Sequence, residues 1–203
     1  MYNNNMKTFL FILIGYLVGS IPWALIIGKV FYGVDVREHG SGNLGGTNVL
    51  RTLGKLPGIS VMLLDTLKAL IYMFILYKIY PSAIAYAGLA VCLGHCFPIF
   101  AKFKGGKAVA CSCGYVLGLN LFIENKVLLT FVIPMLIWLI VMLTTKYMSL
   151  ASMSGVLFAA ITSLIFFENK INALLVLLLA LFVIFMHRSN IVKLINHKES
   201  KLK

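Results

Sequence analysis

Charged side chains are scarce in this sequence. Only 12% of its 203 residues are Asp, Glu, Lys or Arg, whereas 61% are hydrophobic and the mean hydropathy is +0.96. Ordinary soluble domains are about 25% charged and about 45–50% apolar. The chain therefore has too little polar surface to coat a soluble globule. This argues against a soluble enzyme, a disordered chain and a nucleic-acid-binding module.

Several common active-site patterns are also missing. The six acidic residues are scattered, so no paired-carboxylate site is expected, and no G-x-S-x-G nucleophile elbow occurs. Neither His39 nor His95 begins the His-x4-Asp dyad of acyltransferases that use coenzyme A thioesters. The spacings of the four cysteines match no zinc, haem or redox pattern, so we interpret them as packing residues. We expect no metal site and no cofactor.

Long apolar runs dominate what is present. They are continuous and lack the alternation of a membrane β-barrel, which predicts helices. The fourth run has about 16 residues, short of the usual span of about 17–25, and a tilted or re-entrant helix is expected there. The seven runs lie at roughly 8–28, 57–77, 82–99, 108–123, 127–144, 149–167 and 171–186. The predicted fold is an all-α integral membrane protein with a bundle of about seven transmembrane helices, forming one domain over residues 1–203.

Positive charge is distributed unevenly between the loops. Of the 18 lysines and arginines, 13 lie in the loops after odd-numbered runs and in the C-terminal tail. Only Lys7, Lys78, Lys126 and Lys170 lie on the other side. Cytoplasmic loops of membrane proteins carry the excess of Lys and Arg, so the N-terminus is predicted outside and the C-terminus in the cytoplasm.

A first group of candidate site residues lies in loop 33–56. Four glycines fall within seven positions, and such loops can turn backbone N–H groups toward an anion. Neutral donors and one guanidinium, suited to a phosphate, stand around them. A flexible linker is the alternative. The residues are Gly40, Ser41, Gly42, Asn43, Gly45, Gly46, Thr47, Asn48 and Arg51.

A second group lies at 94–108, directly before an apolar helix. Lysines surround a Gly-Gly pair, and a helix N-terminus with glycines and lysines is a ready anion site. The pattern predicts that the glycine N–H groups and the lysines hold a phosphate, and an ordinary positive-inside loop is the alternative. The residues are His95, Lys102, Lys104, Gly105, Gly106 and Lys107.

Weaker signals complete the set. His187, Arg188 and Asn190 follow the last run, and Ser149 and Ser152 begin the sixth. A solvated helix end and helix-packing serines are the ordinary interpretations of these two segments.

Asp65 and Lys68 fall inside the second run at i and i+3, where they can pair on one helix face. Ionisable residues inside a membrane mark a functional site by default, but a buried ion pair that locks two helices is an equal alternative.

Residue chemistry alone favours an amphipathic phosphate-bearing substrate, with its apolar chain among helices and its phosphate among lysines and glycines. An enzyme and a carrier for organic phosphates both remain open at this point. A carrier would place polar residues at the bilayer midplane and often show an inverted repeat, and no repeat is visible. A non-catalytic lipid-binding subunit would leave the dense Gly/Ser/Asn/Arg group unexplained.

Taken in order, these motifs closely resemble the bacterial acyl-phosphate glycerol-3-phosphate acyltransferases, the PlsY family. The resemblance covers nearly the whole chain. The matching segments are Gly19–Pro22, Gly40–Asn43, Thr47–Lys55, Asp65 with Lys68, Gly94–Pro98, Phe103–Lys107, Ser149–Ser152 and His187–Ile191.

The resemblance implies a multi-pass enzyme of the bacterial cell membrane with its site facing the cytoplasm. It implies transfer of a fatty acyl group from acyl phosphate to the 1-hydroxyl of glycerol 3-phosphate. The products would be lysophosphatidic acid and phosphate, in the first step of phospholipid biosynthesis. The lipid bilayer and the two substrates are the expected partners, nucleic acid is not, and a monomer is the expected state.

The resemblance also implies roles for individual residues. Glu199 would serve structural integrity, and the Lys104–Lys107 loop would hold glycerol 3-phosphate. The implied catalytic residues are Ser41, Arg51, Lys104, His187 and Asn190. The implied substrate-binding residues are Gly42, Asn43, Gly45, Thr47, Asn48, His95, Gly105, Gly106, Lys107, Ser149, Ser152 and Arg188.

The chain departs from the usual family pattern at five positions. Ala108, Ala69 and His197 stand where Gly is usual, Cys111 stands for Thr, and Gly46 stands for Ala. These changes affect loop geometry rather than the class of reaction.

No activated Ser or Cys is evident, so we expect direct acyl transfer without a covalent enzyme intermediate. The expected contribution of the enzyme is positioning and charge neutralisation. The base is left open between His187, His95 and a substrate phosphate oxygen, whose second pKa is about 6.

Overall fold

The computed structural model describes residues 2–202, and this part of the chain is helical and contains no strand. Met1 and Lys203, the ends of the predicted domain, lie outside the described residues. Two π-helical turns, Asn120–Glu124 and Leu128–Val132, follow α6 and precede α7. The helices are α1 (Tyr2–Gly19), α2 (Trp23–Tyr32), α3 (Gly46–Leu53), α4 (Lys55–Ile79), α5 (Ile84–Cys96), α6 (Val109–Leu119), α7 (Ile133–Thr145), α8 (Met148–Phe166), α9 (Lys170–Met186) and α10 (Arg188–Ile195). The all-α prediction is confirmed.

Each predicted apolar run coincides with a helical segment. Those long and apolar enough to cross a membrane are Asn4–Tyr32, Lys55–Ile79, Pro81–Ala101, Leu128–Thr145 and Met148–Phe166. Helices α9 and α10 form a sixth candidate if the pair, bent by 57°, counts as one span. The fourth run, Val109–Glu124, is again the short one. The total of seven spans and their orientation stay predictions.

The first apolar run is divided in the structure. Helix α1 ends at Gly19 and α2 begins at Trp23, because Pro22 has no backbone N–H to continue the ladder. The Ser20 hydroxyl donates to the Tyr16 carbonyl at 2.8 Å and accepts the Ile99 N–H at 3.4 Å. The break thus leaves backbone carbonyls in the interior of the helix bundle.

The chain forms two compact units, Met1–Gly118 and Leu119–Lys203, which we call the N-terminal and C-terminal units. In the N-terminal unit, α1 packs mainly on α5, and α4 packs on α3 and α5. Glycines let α1 and α5 approach closely: a Cβ on Gly19 would overlap the Val91 backbone, and one on Gly94 would overlap the Tyr16 carbonyl. Small residues at helix crossings are the usual basis of such packing in membranes.

The segment predicted as loop 33–56 is only partly a loop. Helix α3 occupies Gly46–Leu53, and residues 33–45, which we call the first loop, fold over a hydrophobic core. That core draws on α2, the first loop, α3, α4 and the segment after α5, and consists of Ala24, Ile27, Val36, Leu44, Val49, Val61 and Ala101. Burial of its own side chains rules out the flexible-linker alternative for the first loop.

In the C-terminal unit, α8 packs between α7 and α9. A buried polar cluster lies beside the π-helical turns, where the Asn172 amide donates to Glu124 Oε1 at 2.6 Å. The Glu168 N–H donates to Glu124 Oε2 at 3.1 Å, and Thr130 donates to Asn120 Oδ1 at 2.8 Å. These bonds satisfy polar groups that would be costly to bury alone.

Candidate active site

An ion pair lies at the start of the first loop. Arg37 Nη2 and Nε lie 2.6 Å and 2.9 Å from the two carboxylate oxygens of Asp35, and Lys29 Nζ lies 3.1 Å away. The hydrogen bonds from Arg37 hold the pKa of Asp35 well below its ordinary value. Because the pKa of Asp35 is lower in the folded protein than the value of about 3.9 in the unfolded chain, the ion pair stabilises the fold at any pH above that value. This stabilisation is lost as the pH falls from about 3.9 through the pKa of the folded state. The pair is therefore intact near neutral pH.

Asn48 organises the rest of the first loop. Its side chain is buried, its Oδ1 accepts the Ser41 N–H at 2.8 Å, and its Nδ2 donates to the Val36 and His39 carbonyls at 2.8 Å and 3.2 Å. Gly40 has a φ of +60°, and a Cβ there would overlap Asn48 Oδ1. Only glycine meets both conditions without strain. The Asn48 amide thus serves the loop backbone, and its predicted contact with substrate stays a prediction.

The remaining predicted residues of this group surround that anchor. Ser41, Gly42 and Arg51 are exposed, and Gly45 is the extended residue that precedes α3. Thr47 and Arg51 lie four residues apart and so share one face of α3. Among the described residues, Asn43 Oδ1 is a buried acceptor without a hydrogen-bond partner.

The second group forms a turn that folds back on the end of α5; we call residues 97–108 the basic loop. Its Gly105 N–H donates to the Cys96 carbonyl at 3.2 Å, and its Gly106 N–H donates to the His95 carbonyl at 3.0 Å. The N–H groups of Phe103 and Lys104 likewise donate to carbonyls of the chain, those of Pro98 and Ala101. Both glycine N–H groups are thus donated within the protein, and the predicted contact of Gly105 and Gly106 with a phosphate stays a prediction.

The glycine pair is needed for close packing. A Cβ on Gly106 would overlap the His95 imidazole, and one on Gly105 would overlap the His95 carbonyl. The glycines let the loop lie flat against α5. Lys104 is exposed and Lys107 is half-buried. The lysine side chains are the cationic groups with which this loop could bind a phosphate.

The first loop and the basic loop meet. The Leu44 N–H lies 3.4 Å from the Gly105 carbonyl, at the limit of a hydrogen bond. Leu44 and Ala101, one from each loop, are buried in the same hydrophobic core. The structure thus brings the first two predicted groups together at one end of the N-terminal unit.

His95 belongs to a buried charged cluster that the sequence did not reveal in full. Lys68 Nζ lies 2.8 Å and His95 Nδ1 lies 3.3 Å from the same oxygen of Asp65, Oδ1. The Cys111 thiol donates to the Asp65 carbonyl at 3.2 Å, where the hydroxyl of the usual family Thr could do the same. The predicted substrate contact of His95 stays a prediction, because its Nδ1 faces this cluster.

The same cluster corrects the expectation that no metal constellation exists. One ligand atom each of Asp65, His95 and Cys111 lies within 4.8 Å of the others, although the three residues are on different helices. The Lys68 ammonium, however, lies against the carboxylate oxygen that a metal ion would need. The Lys68 ammonium is the cation of this cluster, and we assign no metal to it.

The third predicted group lies in the C-terminal unit and is joined through Glu199. The buried Glu199 carboxylate accepts from the Ser149 hydroxyl at 3.0 Å and from the Asn190 amide at 2.8 Å, both at Oε1. These two contacts are a physical basis for the structural role that the family resemblance implies. Ser152 is buried nearby on the same helix as Ser149.

His187 and Arg188 stand where α9 turns into α10. His187 is buried, and its Nδ1 lies 2.8 Å from the Val183 carbonyl. The Arg188 guanidinium lies 4.7 Å from the centre of the Phe185 ring of its own helix end. Arg188 thus has a partner close by in the chain, as expected for an arginine at a solvated helix end.

Removal of the Glu199 carboxylate is expected to destabilise the C-terminal unit. A hydrogen bond to a charged group contributes about 1.5–3 kcal/mol, and Glu199→Ala removes two. We expect a clearly lower melting temperature in detergent, whereas Glu199→Gln keeps an Oε1 acceptor and most of the stability. Glu168→Ala is the matched control, because its side chain is 83% exposed and its ion pair with Lys126 should contribute about 0–1 kcal/mol. Equal melting temperatures for the two alanine variants would contradict this role.

Two departures from the family pattern coincide with left-handed backbone. Ala108 has a φ of +60° and His197 has a φ of +54°, and both stand where the family usually has glycine. The usual glycine is explained by this conformation, which glycine adopts without the cost that a Cβ brings.

Comparison with known proteins identifies the family. The family model of glycerol-3-phosphate acyltransferase matches residues 9–197. Glycerol-3-phosphate acyltransferases of Bacillus cereus (strain G9842) and Geobacillus kaustophilus (strain HTA426) are 44% and 42% identical over 200 residues, each covering 97% of this chain and 96% of the relative.

The fold matches as well. The crystal structure of PlsY (YgiH), an integral membrane glycerol 3-phosphate acyltransferase, in its glycerol 3-phosphate form has a TM-score of 0.87 at 33% identity. The lysophosphatidic acid form has a TM-score of 0.85, and each comparison covers 97% of this chain and 96% of the other. This multi-pass membrane protein therefore belongs to the glycerol-3-phosphate acyltransferase family.

Proposed function

We propose that this chain transfers a fatty acyl group from acyl phosphate to the 1-hydroxyl of glycerol 3-phosphate, yielding lysophosphatidic acid and inorganic phosphate. The observation that carries the proposal is the meeting of the first loop with the basic loop through Leu44 and Gly105. That meeting brings the loop that precedes α3, the helix of Arg51, to the lysine-bearing basic loop, which suits a reaction in which both substrates carry a phosphate. Relatives solved with glycerol 3-phosphate and with lysophosphatidic acid support the acceptor and the product.

The chemical step requires little covalent help. The 1-hydroxyl oxygen attacks the acyl carbonyl carbon, a C–O ester bond forms, and the bond between that carbon and the phosphate oxygen breaks. Inorganic phosphate leaves with the electron pair, and the hydroxyl proton passes to a base. The main obstacle is the repulsion of two anions, and Arg51, Lys104 and Lys107 would offset it as they hold the substrates in line.

The geometry of His187 suits it as one candidate for the base. A carbonyl oxygen can only accept, so the contact with Val183 places the proton of a neutral imidazole on Nδ1. Nε2 is then the basic nitrogen. A substrate phosphate oxygen is the second candidate, since its second pKa is about 6. Asn190 and Ser41 keep their proposed catalytic roles.

The donor is tested with purified protein. Acyl phosphate and acyl-coenzyme A of the same chain length are each supplied with glycerol 3-phosphate, and lysophosphatidic acid and phosphate are measured. We expect product from acyl phosphate and little or none from the thioester, because the His-x4-Asp dyad is missing. Equal turnover of the thioester would refute the donor assignment. Uptake of glycerol 3-phosphate into proteoliposomes without acyl transfer would instead support an organic phosphate carrier.

We also propose a bacterial cell-membrane location, a monomer, a single domain, and a site that faces the cytoplasm. Glu38 and Lys102 are exposed, so cysteines introduced there report on the first loop and the basic loop. A membrane-impermeant maleimide should label both in inverted vesicles and neither in intact cells. Lys126→Cys should show the opposite pattern. Labelling of either loop from outside would contradict the orientation, which rests on the 13-to-4 distribution of positive charge.

A further inference from the structure

The Lys68 ammonium occupies an unusual position for a charge inside a helix bundle. The Lys68 and Asp65 side chains are 4% and 2% exposed. The distances from Lys68 Nζ are 2.8 Å to Asp65 Oδ1, 2.9 Å to the Gly19 carbonyl, 3.1 Å to the Ile21 carbonyl and 3.1 Å to His95 Nδ1. Its hydrogen-bond partners are the two carbonyl oxygens and the His95 ring nitrogen, which match the three donors of an ammonium, and Asp65 supplies the opposite charge as an ion pair. The charge is therefore fully engaged by the protein itself.

The contacts of Lys68 outside its own helix lead to two parts of the proposed site. Gly19 and Ile21 belong to the break between α1 and α2, and α2 leads directly into the first loop. His95 is near the end of α5, which leads directly into the basic loop. One side chain of α4 thus contacts the elements from which both loops begin.

His95 transmits this position to the glycine pair. Its carbonyl accepts the Gly106 N–H at 3.0 Å, and its imidazole fills the space that a Cβ on Gly106 would need. His95 Nδ1 lies 3.1 Å from Lys68 Nζ and 3.3 Å from Asp65 Oδ1, so the ring contacts both members of the ion pair. Movement of the imidazole would therefore move the backbone between Lys104 and Lys107.

We propose that Lys68, together with Asp65, is a positioning residue of the acyl transfer, which sets the spacing between the first loop and the basic loop. The inference rests on the proposed function and adds a residue pair that touches no substrate. The pair fixes the elements that lead into the first loop, which precedes Arg51 on α3, and into the lysine-bearing basic loop.

Stability alone does not account for such an arrangement. A buried ion pair replaced by apolar side chains of similar size is often neutral or stabilising, so packing does not demand charges here. Apolar side chains, however, could not donate to the carbonyls exposed by the break at Pro22, nor orient an imidazole. A simple lock between two helices would need only one of these four contacts.

The test is the double variant Asp65→Asn/Lys68→Met, which keeps both shapes and leaves no lone buried charge. The matched control is Lys126→Met/Glu168→Gln, which removes an ion pair of the same type from the C-terminal unit. Amide hydrogen exchange and initial rates are measured on folded, monodisperse protein. Exchange of the Leu44, Gly105 and Gly106 amides should quicken about tenfold, the ratio given by one lost hydrogen bond. Peptides from α7 and α8 should be unaffected.

The kinetic result separates positioning from mere stability. In the double variant we expect the KM for glycerol 3-phosphate to rise about tenfold and kcat to fall about tenfold. In the control variant we expect both parameters to stay unchanged. Unchanged exchange at the two loops would overturn the inference, as would quickened exchange with unchanged kcat and KM. If the wild-type protein shows no acyl transfer while exchange still responds, the proposed function fails and the coupling between Lys68 and the loops stands.

Discussion

A Gly106→Ala protein is expected to lose its acyltransferase activity because the basic loop can no longer lie against His95. The added methyl group would overlap an imidazole whose opposite nitrogen contacts Lys68 and Asp65, so a shift of the ring would disturb those contacts. Overpacking of this kind costs about 1–3 kcal/mol, occasionally more. A displacement of about 1 Å at a site that positions substrates can cost about 100-fold in rate. Both kcat and the melting temperature should fall.

The sequence alone predicts a simpler result for Gly106→Ala, a raised KM for glycerol 3-phosphate because a backbone N–H donor to its phosphate is displaced. The overlap with His95 predicts instead a loss of kcat and of stability. The two are distinguished by steady-state kinetics and by melting of the purified variant. Gly33→Ala is the control, because Gly33 has a φ of +64° but nothing within 4 Å of its added Cβ. That variant carries only backbone strain of about 1–2 kcal/mol and should keep its kcat and KM. A Gly106→Ala protein with unchanged stability and only a raised KM would contradict the structural explanation.

Arg51→Ala is expected to lower kcat/KM by about 10²–10³, the range seen when one donor to developing transition-state charge is removed. Arg51 is exposed on α3, on the face of Thr47 and beside the loop that Asn48 anchors. Its guanidinium meets most negative charge when both substrates close on each other. The loss should therefore appear in kcat and not only in KM.

Arg51→Lys tests the geometry of the same contact. A guanidinium binds phosphate oxygens with a planar fork, whereas an ammonium is a point charge, so lysine should restore only part of the rate. Lys55→Ala, an exposed cation one turn further along the chain, controls for the loss of charge alone. If Arg51→Ala raises KM and leaves kcat intact, Arg51 binds substrate in the ground state and does not stabilise the transition state.

Membrane character, helical class and the positions of the apolar runs could all be predicted without coordinates. These properties depend on local composition: an apolar stretch in lipid must satisfy its backbone internally, and a helix does so within one segment. The motifs Gly40–Asn43 and Phe103–Lys107 likewise marked the first loop and the basic loop as candidate site segments. Even the short fourth run was evident from its length.

The tertiary structure decided how the backbone of those loops is used. The Gly105 and Gly106 N–H groups bind carbonyls of His95 and Cys96, partners about ten residues earlier, and a count of glycines does not reveal this. Asn48 stabilises the first loop through three backbone groups, although its residue type equally suits a ligand contact. Helix α3 lies within residues 33–56, which the sequence analysis treated as a loop.

Sequence alone showed that Asp65 and Lys68 share a helix face, because that relation follows from the period of one helix. It could not show that Lys68 also contacts Gly19, Ile21 and His95, because these residues lie on other elements, 27 to 49 positions away. Contacts within a helix are determined by spacing along the chain. Contacts between helices depend on how the helices pack, and here close packing at the glycines of α1 and α5 lets one ammonium contact both the α1–α2 break and the end of α5.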